Sequence, residues 1–209
     1  MVDWSDCIVW CNALSEFLEL TPVYIRKGAV LRDSTEFAVL GGDPSSTFDA
    51  DEVEQREADG FRLPTRSEWE LAARYQGDDG SHDAIFLDGL HWTPGSHASG
   101  GIGPIYPWDE EARAQLSEIA WYEGNSDVDG DGMRTQAVGL KEPNTLGLYD
   151  MSGNVWEWCF TAAGPGGSHR AIKGGHWHGN ERVLRVGYND SQPPEIGLPS
   201  IGFRLARNR

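Results

Sequence analysis

Three kinds of residue in this chain have the chemistry to act on or hold another molecule: thiols, closely spaced imidazoles, and carboxylates on glycine-rich turns. The thiols are Cys7, Cys11 and Cys159. A thiolate is both a nucleophile and a soft-metal ligand. Cys7 and Cys11, however, stand four apart on a predicted helix, a poor geometry for bridging each other. Three cysteines cannot make a disulfide framework, so buried thiols are expected. His176 and His178 flank Trp177, and on a strand their imidazoles would share a face. A third ligand such as Asp190 is not marked by spacing, so no transition-metal site is read from the pair. Asp127, Asp129 and Asp131 begin like a calcium loop of the EF-hand kind. Its twelfth position falls on Val138, which lacks the closing bidentate carboxylate, and an acidic turn is expected instead.

The richest candidate stretch runs from His176 to Ser200. It contains His176, Trp177, His178, Gly179 and Asn180, then Arg185, Val186, Gly187, Tyr188, Asp190 and Ser191. Strand alternation is poor, prolines interrupt it, and the residues are small, polar or aromatic. That is the composition of a binding surface, with Tyr and Trp as rigid anchors and Ser, Gly and Asn as adaptable hydrogen-bonders. Arg170, Lys173, Arg182, Arg185, Arg204, Arg207 and Arg209 face only Glu181, Asp190 and Glu195 in this end of the chain, so it is locally basic.

The elements that must position these residues are mixed. Ser5 is expected to cap a helix over Asp6–Leu20 whose apolar face is Cys7, Cys11, Leu14 and Leu18, widened by Trp10 and Phe17. Tyr24–Val30 reads as a strand, and Leu31–Asp59 as an acidic irregular excursion. Thr65-Arg66-Ser67-Glu68 is a capping box opening a second helix through Arg74. Gln76–Gly103 reads as loop, Tyr106-Pro107-Trp108 as a turn with two aromatic anchors, and Glu118–Tyr122 as a short ordered piece. Leu146–Tyr149, Val155–Phe160, Ala171–Lys173, Arg182–Tyr188 and Ile201–Ala206 read as short strands. Two helices followed by short antiparallel strands and extensive loops make an α+β fold in one domain over residues 1–209.

The 209 residues carry a net charge of −16, from 33 acidic against 17 basic side chains, which argues against a nucleic-acid partner. The 26 glycines and nine tryptophans imply many tight turns around large flat anchors. No run approaches the roughly 18 apolar residues of a membrane span. The expected partner is a protein or small-molecule ligand, and a monomer is expected. Nothing assigns the compartment; an exported or cell-surface protein would need a segment not present here, since Met1 leads directly into domain-like sequence.

Several of these segments together resemble the formylglycine-generating enzyme (sulfatase-modifying factor) domain, a variant of the C-type lectin-like fold. They are Val2–Asp6 with Cys11-Asn12 and Leu14-Ser15; Phe61–Thr65 with Glu68-Trp69-Glu70 and Ala72-Ala73-Arg74; Tyr106-Pro107-Trp108; Pro143-Asn144 with Gly147–Met151 and Gly153–Trp158; Lys173-Gly174-Gly175; and Ile201–Ala206. The N-terminal strand region usual in that family is missing. In the oxidases of the family two cysteines follow the Gly-Gly pair, holding copper and attacking the substrate thiol. Here those positions are Gly179 and Leu184, neither of which supplies a thiolate. The resemblance therefore implies a scaffold without the oxidase chemistry, and no copper is expected. An oxidase or sulfoxide-synthase relative using another metal is the alternative, although the synthases rely on a further histidine-bearing helical domain.

The His176–Ser200 stretch also resembles the variable proteins of diversity-generating retroelements, including those of treponemes. In those proteins, adenine-directed mutagenesis of Asn codons varies side chains at this end of the fold. His176, His178, Gly179, Asn180, Val186, Gly187, Tyr188, Asp190 and Ser191 fit the residues reachable from an AAC codon; Trp177, Glu181, Gln192 and Glu195 do not and would be fixed. The family resemblance implies a calcium site as well, carried here by Asp150, Gly153, Val155 and Glu157, where two carboxylates and backbone oxygens suit a hard cation.

Overall fold

The computed structural model describes residues 1–37, 53–78, 85–87, 89–101, 105 and 110–208. The Tyr106-Pro107-Trp108 turn and the middle of the Leu31–Asp59 excursion lie outside them. In chain order the elements are α1 (Trp4–Phe17), β1 (Tyr24–Arg26), β2 (Ala29–Val30), β3 (Val53–Gln55), β4 (Phe61–Arg62), α2 (Arg66–Arg74), β5 (Tyr75–Gly77), β6 (Ile85–Leu87), β7 (Leu90–Trp92), α3 (Glu110–Ile119), β8 (Trp156–Ala163), β9 (His169–Lys173), β10 (Asp190–Gln192), β11 (Ile201–Phe203) and β12 (Ala206–Arg207). The fold is α+β, as expected, with three α-helices among the described residues rather than two. The chain divides into two compact units: residues 1–65, 158–171 and 191–209 form the first, and residues 66–157 and 172–190 the second.

In the first unit α1 starts two residues earlier than Ser5 suggested. Asp3 is the N-cap: its carboxylate accepts from Asp6 N at 2.8 Å, and Asp6 returns a bond from Asp3 N at 3.3 Å. A carboxylate is a strong acceptor at the electropositive end of a helix, and the Ser5 hydroxyl donates to it at 2.7 Å. The buried face is Trp4, Cys7, Ile8, Cys11, Asn12 and Ser15, while Trp10, Phe17 and Leu18 are exposed. Asn12 explains why a polar residue displaces the expected apolar stripe. Its amide donates to Tyr24 O and Leu31 O at 2.8 Å each and accepts from Tyr24 N at 3.0 Å. These bonds tie α1 to the β1–β2 hairpin, so Tyr24–Val30 is a turn-linked pair and not one strand. Trp4 packs at a tilt against Phe160, 5.5 Å between ring centres, and its indole N–H donates to Cys159 O at 3.1 Å. Strands pair in the orders β2-β1-β3 and β12-β4, and a four-stranded sheet runs β10-β9-β8-β11.

In the second unit α2 buries Trp69 and Ala73. The region expected to be loop after Gln76 contains a three-stranded sheet, order β5-β7-β6, in which Tyr75 packs edge-on against Trp92 at 5.4 Å. The unexpected α3 sends Leu116 and Ile119 into a cluster with Ala98, Ile105, Ala120, Tyr122 and Leu184. Two expected strands are turns. Asn144 Oδ1 takes the amides of Leu146 and Leu148 at 3.0 and 3.1 Å, coiling that segment on itself. Arg182–Tyr188 begins as a 3-10 turn over Glu181–Leu184, capped by Asn180, because Leu184 must reach the cluster where it is fully buried.

Candidate functional site

The surface is laid out by a double glycine. Gly174 and Gly175 both have positive φ, 98° and 82°, a conformation that side chains resist. A Cβ on Gly175 would lie 2.6 Å from Leu184 Cδ2, so this reversal admits only glycine. Gly174 O accepts from Gly153 N at 2.8 Å, and Trp177 N donates to Asn154 O at 2.8 Å. Asn154 is itself left-handed at φ 61° and is clamped by Gln136 through both amide atoms of its side chain. The chain then closes a tight turn, Gly179 N to His176 O at 2.9 Å, while Gly179 O takes Glu123 N at 3.1 Å.

Four rings line this turn. His176 lies 5.6 Å from the buried Trp156, His178 packs edge-on against His176 at 4.0 Å, and Trp177 covers His178 at 4.3 Å. The Nδ1 atoms of the two histidines are 3.1 Å apart. Burial, with His178 as a second cause, lowers the His176 pKa to about 4. The Tyr188 ring also lies near Trp156, at 6.1 Å. His176, Trp177 and Tyr188 are partly exposed and His178 is exposed, so the rings form a shallow patch that another molecule can reach.

The Tyr188 side is anchored from below. Lys173 is fully buried, and its ammonium donates to Val186 O at 2.8 Å, Tyr188 O at 2.6 Å and Asn189 Oδ1 at 3.3 Å. Glu70 lies 3.7 Å away and the Trp69 ring 5.3 Å away. Ser152 Oγ donates to Leu184 O at 2.9 Å, and Val186 N and Gly187 N bond His97 O and Gly95 O at 2.8 and 2.9 Å. The loop backbone is therefore held by groups outside the candidate set.

Not every residue of that set faces outward. Val186 is fully buried and Gly179 is buried, because both close the loop onto its support. Expected as contact residues, both instead sit in the framework beneath the surface. Gly187 approaches Gly95 closely, where a Cβ would stand 2.7 Å from Gly95 O. Asn180 is exposed and serves as a cap, accepting from Arg182 N at 3.1 Å, and Arg185 Nε donates to Arg182 O at 2.9 Å. Asp190 is exposed. Ser191 belongs to the first unit, with its hydroxyl 3.3 Å from His169 Nδ1. Sequence reasoning missed Lys173 and Trp156 as supports; the signal was a lysine ending the apolar run Ala171-Ile172.

The Asp150–Glu157 turn lies in this unit too. Asp150 is left-handed at φ 54° and its Oδ2 accepts from Gly139 N at 2.8 Å. Glu157 is 5% exposed and its Oε2 accepts the Trp69 indole N–H at 2.6 Å. Two buried carboxylates, Asp150 before the turn and Glu157 on β8 after it, are of the donor type that suits a hard cation. Among the described residues no group of three or more His, Cys, Asp or Glu side chains gathers into a metal cluster.

The sulfatase-modifying factor enzyme 1-like domain matches residues 1–209. The chain belongs to this family. A chaperone protein LppX of Paenibacillus barcinonensis is 28% identical, over all of this chain and 69% of its own length. The inactive C-alpha-formylglycine-generating enzyme 2 of Mus musculus is 30% identical over 70% of this chain and 43% of its own. A formylglycine-generating enzyme of Streptomyces coelicolor is also 30% identical, over 71% of this chain and 47% of its own. Family membership thus spans proteins named active and inactive, and the chain spans less than half the length of the latter two. Among solved structures, Treponema denticola variable protein 1 superposes with a TM-score of 0.69 at 31% identity, covering 99% of this chain and 69% of that one. The scaffold is accordingly the C-type lectin-like fold of the formylglycine-generating-enzyme variety.

Proposed function

We propose that this chain is a non-enzymatic binding protein that displays a variable surface on the family scaffold, in the manner of a retroelement-diversified variable protein. One observation carries the reading. The side chains that turn outward, His176, His178, Asn180, Tyr188 and Asp190, fit the exchangeable set, while the loop backbone at Trp177, Leu184 and Tyr188 is held by Asn154, Ser152 and Lys173, which lie outside the varied stretch. A surface so built changes its contacts without changing its course.

Against oxidase chemistry stand the residues at the two cysteine positions. Gly179 closes a turn, and Leu184 is buried in a hydrophobic cluster. The ligand is a protein or small molecule met by aromatic rings, imidazoles and the Arg182/Arg185 guanidinium groups, with calcium held, if bound, by Asp150, Glu157 and the carbonyls of Gly153 and Val155 as a structural ion. The test is sequencing of the gene in sibling isolates. Substitutions confined to the outward positions, with Trp177, Glu181 and Lys173 fixed and a near-copy of the gene's 3′ end beside a reverse transcriptase, are expected. Changes scattered evenly along the chain overturn the reading.

A further inference from the structure

The two imidazoles on the exposed turn are placed closer than a binding surface requires. His176 Nδ1 and His178 Nδ1 are 3.1 Å apart. Two nitrogens that each sit ~2.0–2.1 Å from one zinc ion are separated by about 2.9–3.4 Å, depending on the angle at the metal. At 3.1 Å two N–H groups would collide, so at least one Nδ1 presents a lone pair to the gap and the two nitrogens share at most one proton there. A cation that accepts both lone pairs replaces that proton with a stronger bridge.

We propose that His176 and His178 form a two-nitrogen clamp for Zn²⁺, with the remaining coordination positions open to water or to a donor atom of the bound ligand.

The surroundings suit this role. The rings are held by packing, His176 against Trp156 at 5.6 Å and His178 under Trp177 at 4.3 Å, which limits their freedom before a metal arrives. The turn between them is closed by the Gly179 N to His176 O bond and tied to Asn154 through Trp177 N. A Cβ at Gly179 would stand 3.0 Å from the His176 ring, so glycine there leaves the imidazole its place. No third His, Cys, Asp or Glu side chain completes a cluster among the described residues. A closed structural zinc site needs four protein ligands, whereas a site that works on an outside molecule keeps positions open. Imidazole nitrogen without thiolate suits zinc among the divalent ions that combine availability with tetrahedral geometry. The clamp goes beyond the reading of a variable surface and stands without it, because it depends only on the two rings present in this chain.

The experiment uses the full chain without an affinity tag, with Zn²⁺ alone as the probe and excess Mg²⁺ present to occupy exposed carboxylates. Competition with a zinc-chelating dye measures affinity, and long-range ¹H–¹⁵N spectra follow the imidazole nitrogens. The wild-type chain is expected to take up a single equivalent, with the Nδ1 resonances of His176 and His178 moving together. His178 is exposed, so His178→Ala and His178→Asn fold, and each is expected to weaken uptake by at least about tenfold. His169→Ala is the control and leaves uptake unchanged. Equal uptake by the wild type and both His178 variants, unmoved Nδ1 resonances, or a loss in His169→Ala overturns the proposal. Failure here leaves the variable-surface reading to be decided by the sibling sequences, which do not depend on zinc.

Discussion

Lys173 Nζ donates to Tyr188 O at 2.6 Å from a position with no solvent exposure. A buried ammonium is costly unless its protons are all satisfied, and here two carbonyls, one amide oxygen and the Glu70 carboxylate receive it. The charge is spent on fixing the course of the loop that carries Tyr188.

Lys173→Met keeps the length of the side chain but removes the donor, leaving the Val186 and Tyr188 carbonyls without it. The loss is expected to be about 2–4 kcal/mol in urea denaturation, since buried acceptors stripped of their donors cost about 1–3 kcal/mol each. Amide exchange of residues 186–189 should rise more than that of α2. A variant within about 0.5 kcal/mol of wild type, the range of an inconsequential surface change, would show that the ammonium does not order the loop.

Gly179 is the second test of what varies and what supports. A Cβ there meets Val183 Cγ2 at 2.6 Å and the His176 ring at 3.0 Å. Gly179→Ala is expected to destabilise by about 1–2 kcal/mol, as overpacking does, and to shift the His176 and His178 ring resonances. Thermal melts and imidazole spectra check it. An unchanged melt would return Gly179 to the positions free to vary.

Helix α2 was legible because Thr65–Glu68 is a local capping signal and Trp69 and Ala73 keep helical spacing. Helix α3 was not, because only Leu116 and Ile119 of Glu110–Ile119 are buried, too weak a stripe to stand out from the surrounding acids. The strands β5 and β7 hide in glycine- and histidine-rich sequence because their pairing is non-local. Arg182–Tyr188 carries β-branched and aromatic residues like a strand, yet Asn180 caps it into a turn and the burial of Leu184 bends it. For the site, the residue types were visible while their facing directions were not. Nothing local distinguishes the outward Tyr188 from the buried Val186: Lys173 holds both carbonyls, and the His97 carbonyl, remote in sequence, takes the amide of Val186.

The thiols offer a test in pH. Burial pushes Cys11 up to about 12 and Cys7 higher still, so both stay protonated at ordinary pH and neither is an available nucleophile. A disulfide reagent at mildly alkaline pH should label the native protein slowly and the denatured protein fully. Because the folded pKa values are raised, the unfolded state loses its thiol protons first. Stability is complete below an unfolded thiol pKa of about 8.5 and falls as pH rises towards the folded values. Urea midpoints across that window should decline, and Cys11→Ala should flatten the decline. Rapid native labelling would contradict the burial.

Calcium provides the last test, because Asp150 and Glu157 already have other hydrogen-bond partners. Gly139 N donates to Asp150 Oδ2 and the Trp69 indole to Glu157 Oε2. A carboxylate oxygen accepts more than one partner, so these bonds orient the groups without consuming them. If the Asp150–Glu157 turn holds Ca²⁺ in the folded state alone, adding the ion at a hundred times its dissociation constant stabilises by about 2.7 kcal/mol. The chelated protein should then melt lower than the calcium-loaded one. Asp150→Asn keeps an oxygen for the Gly139 amide while removing the charge, so it should fold yet lose most of the calcium-dependent rise. Mg²⁺ should substitute poorly, since it is smaller and gives up its water reluctantly. Identical melting with calcium and with chelator would mean that Asp150 and Glu157 hold no ion and that their carboxylates serve as hydrogen-bond acceptors, Gly139 N and the Trp69 indole among their donors.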